Sequence, residues 1–257
     1  MTNKQEKMIC NSFGITKLKA FQKDVITDLL KGKDVIGLAR TSEGKSICFL
    51  SMVVMHPNDL LIGILPTVAL MHDLVQRCED SQIRAGCLYN GNTENTNVIE
   101  GLTHGKPQAL FAAPERLSDP RLWKAIQKNS VHTVVVDEVH CLKEWGNEFR
   151  PMYRNIGKFI KDLSNSPVVA AFSATIMPED IPYIVKSLHM KNPVVHIGKL
   201  KRSNLSLKKA FVKNDVARYA KVSKAIQKYS SKGKIVIYCT RVCDVEDMHD
   251  FLIEDCD

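Results

Sequence analysis

The sequence predicts an α/β protein built on a parallel sheet with helices on both faces, and three observations carry that prediction. Short runs rich in Val, Ile and Leu alternate with amphipathic segments of helical length. The first such run ends in the turn Ala39-Arg40-Thr41-Ser42-Glu43-Gly44-Lys45-Ser46, and a later one, Val134-Val135-Val136, ends in the carboxylates Asp137-Glu138. Sheets of this kind bind ligands beyond the carboxyl ends of their strands, so the residues just after strands matter most.

In chain order, periodicity predicts a helix over 18–30, a strand over 35–39, a helix over 45–55, a strand over 61–65 and a helix over 68–78. Strands follow over 86–89 and 109–112, then a helix over 120–128 and a strand over 133–136. A helix over 153–163, a strand over 168–172, a helix over 178–188 and a strand over 194–197 complete the main body. Beyond a glycine- and serine-bearing charge run at 198–206, the best linker candidate, come a helix over 216–229, a strand over 234–239 and a helix over 242–253. The expected organisation is a first domain at 1–200 and a linker with a smaller, incomplete domain at 201–257.

The 257 residues suffice for one to two domains with a real core. With 44% hydrophobic and 25% charged residues, 13 Gly and 10 Pro, the composition excludes disordered, collagenous and low-complexity classes. No apolar run approaches the ~18 residues of a membrane span, and the polar start is unlike a secretory signal. An intracellular protein without a membrane partner is expected, nuclear if the source is eukaryotic. The eight cysteines contain no C-x-x-C pair and are expected to be reduced and structural; a zinc site on Cys239 and Cys243 lacks suitable partner ligands.

Charge is unevenly placed. Between Lys199 and Lys234 twelve basic residues face the single acid Asp215, while from Ile235 onward Arg241 faces seven acids. Lys221, Lys224, Lys228 and Lys232 recur at three- and four-residue spacing, with Val222, Ala225, Ile226 and Tyr229 mostly on another side. Such a stripe is either a solvated lysine face or a surface that tracks nucleic-acid phosphates.

The turn after the first strand is close to the phosphate-binding pattern G-x-x-x-x-G-K-[ST], with Ala39 in the first position. Backbone N–H groups at a helix N-terminus cradle phosphates, Lys45 reaches the β and γ oxygens, and the Ser46 hydroxyl ligates Mg²⁺. Taken alone, a Gly-Lys-Ser at a strand-to-helix turn also arises by chance, and an acidic pair also caps helices. Together, in an alternating β/α chain, they point to a P-loop nucleotide hydrolase in which Asp137 holds the Mg²⁺ shell and Glu138 orients the attacking water.

The run from Asp137-Glu138-Val139-His140 through Trp145-Gly146-Asn147-Glu148-Phe149-Arg150-Pro151 resembles the DEAH box and aromatic-rich loop of the RecQ helicases. Other matches occur in the family's order. Phe13-Gly14 with Gln22 resembles its adenine-reading motif, and Pro66, Leu70-Met71 and Asp73 resemble S-P-L-x-S-L-M-x-D. Ala113-Pro114-Glu115-Arg116-Leu117 matches A-P-E-R-L, Ser173-Ala174-Thr175 matches S-A-T, and Arg202 with Asn204-Leu205 resembles D-R-P-N-L. Ile237-Tyr238-Cys239 with Arg241 resembles the start of a second motor lobe, so the likeness covers nearly the whole chain.

The resemblance implies a RecA-like lobe followed by the opening of a second one, and an ATP-dependent DNA helicase of 3′–5′ polarity, acting on single-stranded and duplex DNA with ATP and Mg²⁺. It implies that Gln22 reads adenine, that Thr41, Gly44, Lys45 and Ser46 bind nucleotide, that Ser46 and Asp137 hold metal, and that Lys45, Asp137 and Glu138 serve hydrolysis. His140, Ser173 and Thr175 would link the nucleotide site to DNA, with Trp145, Phe149 and Arg150 supplying π-faces and a guanidinium.

The chain departs from the family at several points. Ser42 and Glu43 stand where glycines are usual, placing a Cβ and a negative charge beside a polyanion, and weaker nucleotide binding is expected. Lys19 and Leu18 replace the usual Arg and Phe. The sequence stops at Asp257, before the second-lobe motifs that bring an arginine finger, so poor turnover and no unwinding are expected of this polypeptide by itself. Two other readings stay open at this level: a non-catalytic nucleotide- or nucleic-acid-binding relative, and an RNA helicase of another branch.

Overall fold

The computed structural model describes residues 1–40, 43–105, 107–144, 151–199 and 204–256. They divide into two compact units, Met1–Arg202 and Ser203–Asp257, each described by itself.

The first unit opens with helices α1 (Asn3–Ser12) and α2 (Ala20–Leu29), then alternates β1 (Val35–Leu38), α3 (Lys45–Met55), β2 (Leu60–Ile64), α4 (Val68–Asp80), β3 (Ala85–Leu88), α5 (Asn95–Thr103), β4 (Ala109–Ala112), α6 (Pro120–Ile126) and β5 (Val131–Val136). The single turn α7 (Cys141–Glu144), α8 (Asn155–Asp162), β6 (Val168–Ser173), α9 (Ile181–Ser187) and β7 (Val194–Ile197) follow. The seven strands form one sheet in the order β3-β4-β2-β5-β6-β1-β7, and every paired neighbour is parallel.

The pleat sorts alternate strand residues to the two faces. Val35, Leu61 and Val135 pack with Ile9 of α1, Ile26 of α2, Phe49 of α3 and Leu74 of α4. Ile36, Ile62, Val134 and Val136 pack on the other side with Leu102 of α5, Leu122 of α6, Phe159 of α8 and Ile184 of α9. Every residue of β1, β2 and β4 is buried, which is why these strands read as continuous apolar runs and not as alternating ones. The α/β parallel architecture expected from the alternation is therefore the one observed.

Two helices escaped the periodicity reading. α1 is announced by a capping box: the Thr2 hydroxyl accepts from Gln5 N at 3.2 Å and the Gln5 side-chain Oε1 accepts from Thr2 N at 2.8 Å. It buries only Ile9 and Cys10, too few apolar positions for a visible stripe. α5 likewise buries only Ile99 and Leu102 in a segment rich in Asn and Thr.

In the second unit α10 (Asp215–Tyr229) and α11 (Val242–Cys256) pack through Tyr219 and Phe251, whose rings stack at 5.0 Å. The strand expected over 234–239 is corrected: among the described residues this run has no regular secondary structure and no paired strand, with Tyr238 92% exposed. An apolar run becomes a strand only where a neighbour completes its hydrogen-bond ladder, and the described part of this unit supplies none. No helix among the described residues is long and apolar enough to cross a membrane.

Candidate nucleotide site and its link to β6

Strand order places the chemistry. β5, β6 and β1 are adjacent, and their carboxyl ends deliver Asp137-Glu138, Ser173 and the loop before α3 to one edge of the sheet. The register pairs Leu38 with Ser173, while Ala39 N donates to the Ser173 carbonyl at 3.1 Å and Val139 N to the Phe172 carbonyl at 2.9 Å. The three exits are thus locked at one level.

Gly44 caps α3 with φ of 74°, the left-handed region that favours glycine, and no side chain caps the first turn. A Cβ there would lie 2.5 Å from the Gln22 amide nitrogen. Lys45, the first residue of α3, is 6% exposed, and its ammonium nitrogen is buried without a hydrogen-bond partner. It stands 3.5 Å from a Glu138 carboxylate oxygen and 3.9 Å from Asp137 Oδ1. A buried ammonium that lacks hydrogen bonds is a group waiting for an acceptor. Beside the uncapped N-terminus of an eleven-residue helix, a phosphate group supplies one.

The acidic pair is tightly held. Asp137 Oδ1 accepts from Glu138 N at 3.0 Å, and Glu138 adopts φ of 50°, a strained value for a side chain of its size. Burial pushes the Asp137 carboxyl above the ordinary aspartate value; the Lys45 ammonium works against this and the Glu138 charge adds to it. Glu138 Oε2 lies 3.3 Å from His140 Nδ1, which in turn lies 2.8 Å from the Ser173 hydroxyl. Ser173 Oγ also accepts from Thr175 N at 3.1 Å. Lys45, Glu138, His140, Ser173 and Thr175 therefore form one continuous chain of contacts.

Other sequence-selected residues are placed differently. Gln22 is 2% exposed; its amide donates to the carbonyls of Glu43 at 3.2 Å and Gly44 at 3.1 Å and accepts from Lys19 N at 2.9 Å. It buttresses the phosphate loop from behind. The Ser46 hydroxyl accepts from Arg77 of α4 at 3.1 Å, and Arg77 also pairs with Asp73 at 3.0 Å. Arg77 was not legible as a site residue, because nothing local ties it to Ser46. Thr41, Trp145, Phe149, Arg150 and Arg202 lie outside the described residues.

Two cavities flank this edge. One, of about 560 Å³, opens beside the phosphate loop and is lined by Lys19, Phe21, Arg40, Glu43, His196 and Lys199. The other, of about 830 Å³, is mostly apolar and lies past His140 and Thr175 against Met177 and Ile184. Among the described residues no three His, Cys, Asp or Glu side chains gather into a metal cage. The donors present, the Ser46 hydroxyl and the Asp137 carboxylate, suit an ion such as Mg²⁺ that keeps water and substrate phosphates as its remaining ligands.

Comparison with known proteins agrees with this geometry. Residues 19–182 match the DEAD/DEAH box helicase family. The chain is 31% identical over 240 residues to the probable ATP-dependent DNA helicase RecS of Bacillus subtilis (strain 168), covering 92% of this chain and 47% of that protein. It is 32% identical over 213 residues to the ATP-dependent DNA helicase RecQ of the same organism, covering 81% of this chain and 36% of that one. The chain thus spans half or less of these relatives. The crystal structure of the DUF1998 helicase MrfA bound to DNA and AMPPNP superposes with a TM-score of 0.75 at 18% identity, covering 99% of this chain and 38% of that one.

Proposed function

Because the chain belongs to the DEAD/DEAH box helicase family, we propose that it is the ATP-binding motor lobe of a RecQ-type DNA helicase, with the opening of a second lobe in Ser203–Asp257. The parent activity is ATP hydrolysis coupled to 3′–5′ movement along single-stranded DNA and to unwinding of duplex DNA inside the cell. The observation that carries this reading is the buried Lys45 ammonium, without a hydrogen-bond partner, facing two carboxylates at the uncapped start of α3.

In this reading the triphosphate is the acceptor that Lys45 lacks, and the first-turn N–H groups of α3 share its charge. Ser46 and Asp137 would hold Mg²⁺, which neutralises charge on the phosphates. Glu138 would accept a hydrogen bond from the attacking water and so orient it. Its other oxygen is near His140, so a change in water or phosphate position would be felt at Ser173, the last residue of β6, and at Thr175 just beyond it. That contact chain supplies a physical route between hydrolysis and the DNA face; the DNA partner itself is taken from the relatives named as DNA helicases.

The test is titration of Mg·ATP into the chain with Lys45→Ala as control. Binding in the wild type and loss of at least tenfold in Lys45→Ala is expected. Absence of binding by folded wild-type protein would overturn the motor reading. In a chain lengthened through the second lobe, stimulation of ATP hydrolysis by single-stranded DNA, and not by RNA, separates this function from that of an RNA helicase.

A further inference from the structure

The phosphate loop carries a rival to its own ligand. Glu43 directly precedes the N-cap Gly44, and an acid at that position is attracted by the same uncapped N–H groups and dipole that hold a phosphate. Its side chain is only 8% exposed, so the carboxylate cannot be left to water. The structure pairs it with two cations, Arg40 and Lys19. Arg40 Nε and a terminal guanidinium nitrogen each lie 2.8 Å from Glu43 Oε1, and Lys19 Nζ lies 3.6 Å from Oε2. The Glu43 carbonyl is held by the Gln22 amide, and Glu43 N donates to the Arg40 carbonyl at 3.1 Å, so the backbone is fixed on both sides.

We infer that Arg40, with Lys19, is a positioning residue that holds the Glu43 carboxylate out of the phosphate cradle, and that this pairing compensates the loop for lacking a glycine there. The inference rests on the proposed nucleotide site and adds a determinant of its affinity. Freed from Arg40, the carboxylate competes with phosphate for the start of α3 and repels what it fails to displace. Arg40 thus acts through Glu43 and not on the nucleotide.

That distinction sets the experiment. Mg·ATP is titrated calorimetrically into the full chain as wild type, Arg40→Gln, Glu43→Gln, the double variant and Lys45→Ala, at low and high salt, with thermal melting to establish folding. Arg40→Gln should weaken binding about tenfold. Glu43→Gln, which removes the charge that has to be held, should bind at least as tightly as wild type. The double variant should recover the Glu43→Gln affinity, and the Arg40→Gln loss should shrink at high salt. An unrescued double variant would mean that Arg40 touches the nucleotide itself, and an unaffected Arg40→Gln would mean that Glu43 needs no holding; either overturns the inference. Should Arg40→Gln not fold, Glu43→Gln decides, since weaker binding by that variant overturns it. Wild type that binds no Mg·ATP would overturn the motor reading and this inference together, whereas binding lost in Lys45→Ala but indifferent to Arg40→Gln overturns the inference alone.

Discussion

His140 Nδ1 lies 2.8 Å from the Ser173 hydroxyl, joining the turn after β5 to the end of β6 across 33 residues of sequence. Ser173 is fully buried, and its oxygen also accepts from Thr175 N. Ser173→Ala should therefore lower the unfolding free energy by about 1 kcal/mol, because the buried hydroxyl's contacts with His140 and with Thr175 N are both lost. If this contact couples the nucleotide to DNA, stimulation of ATP hydrolysis by single-stranded DNA should fall roughly tenfold when the same substitution is made in a chain lengthened through the second lobe. A destabilised variant with intact stimulation would make the contact structural only.

Gly44→Ala combines two penalties that can be separated. The positive φ of 74° disfavours any Cβ, and this Cβ would lie 2.5 Å from the Gln22 amide nitrogen. A loss of about 2 kcal/mol in urea unfolding is expected, with nucleotide binding lost as Gln22 is pushed off the loop. In a Gln22→Ala background the steric part disappears, and the further cost of Gly44→Ala should shrink to about 1 kcal/mol.

What the sequence disclosed followed from local chemistry. α3 occupies the residues its apolar pattern predicts, and the Val134-Val135-Val136 run is a fully buried strand because both sheet faces are covered. Gly44, Lys45, Asp137 and Glu138 were legible because they follow strand ends, and His140 and Ser173 through the family resemblance; strand order brings them together. What stayed hidden depended on partners distant in sequence. The sequence shows Glu43 as an uncompensated charge; only folding sets Lys19 and Arg40 against it. The resemblance gives Gln22 an adenine-reading role; the bonds its amide makes to the Glu43 and Gly44 carbonyls, more than twenty residues away, are set only by folding. The run at 234–239 has strand composition but no ladder partner among the described residues, and composition alone cannot supply one.

The seam between α8 and α9 is closed around Gly157. A Cβ on this residue would stand 1.9 Å from the Ser187 carbonyl oxygen, a backbone atom that cannot swing aside. Gly157→Ala should destabilise the first unit by about 3 kcal/mol, at the upper end of overpacking effects, and read out as a lower urea midpoint. A neutral outcome would require the helices to separate without loss, contrary to the burial of Ile156 and Phe159 beside it.

Thiol labelling should sort the cysteines by burial. Cys48 is fully buried and burial pushes its thiol far above the ordinary range, while that of Cys78 is pushed up to about 12. Cys243 is exposed and Cys239 partly so. Among the cysteines whose burial is described, an alkylating reagent should under native conditions modify Cys243 first and Cys239 next, with Cys48 and Cys78 reacting only on unfolding, as mass spectrometry of the peptides would show. Early labelling of Cys48 would contradict the packing of α3 against the sheet.

Asp137 gives the site a pH signature whose sign is fixed by burial. Its carboxyl is held above the ordinary aspartate value, chiefly because burial penalises the charge, with the Lys45 ammonium only partly offsetting this. Below the ordinary value both folded and unfolded chains carry the proton, and Asp137 contributes nothing to pH dependence. As pH rises from there towards the higher folded value, the unfolded chain ionises first and stability falls; above the folded value the full penalty remains. Asp137→Asn keeps the neutral shape of the acid, so it should match wild type in acid and melt higher at neutral pH, the gap opening within that window. Lys45→Ala should push the carboxyl higher still, since it removes the principal offset. A neutral-pH melt lower in Asp137→Asn than in wild type would show that pairing with Lys45 outweighs burial, and that the carboxylate is held ready for a cation at less expense than its surroundings indicate.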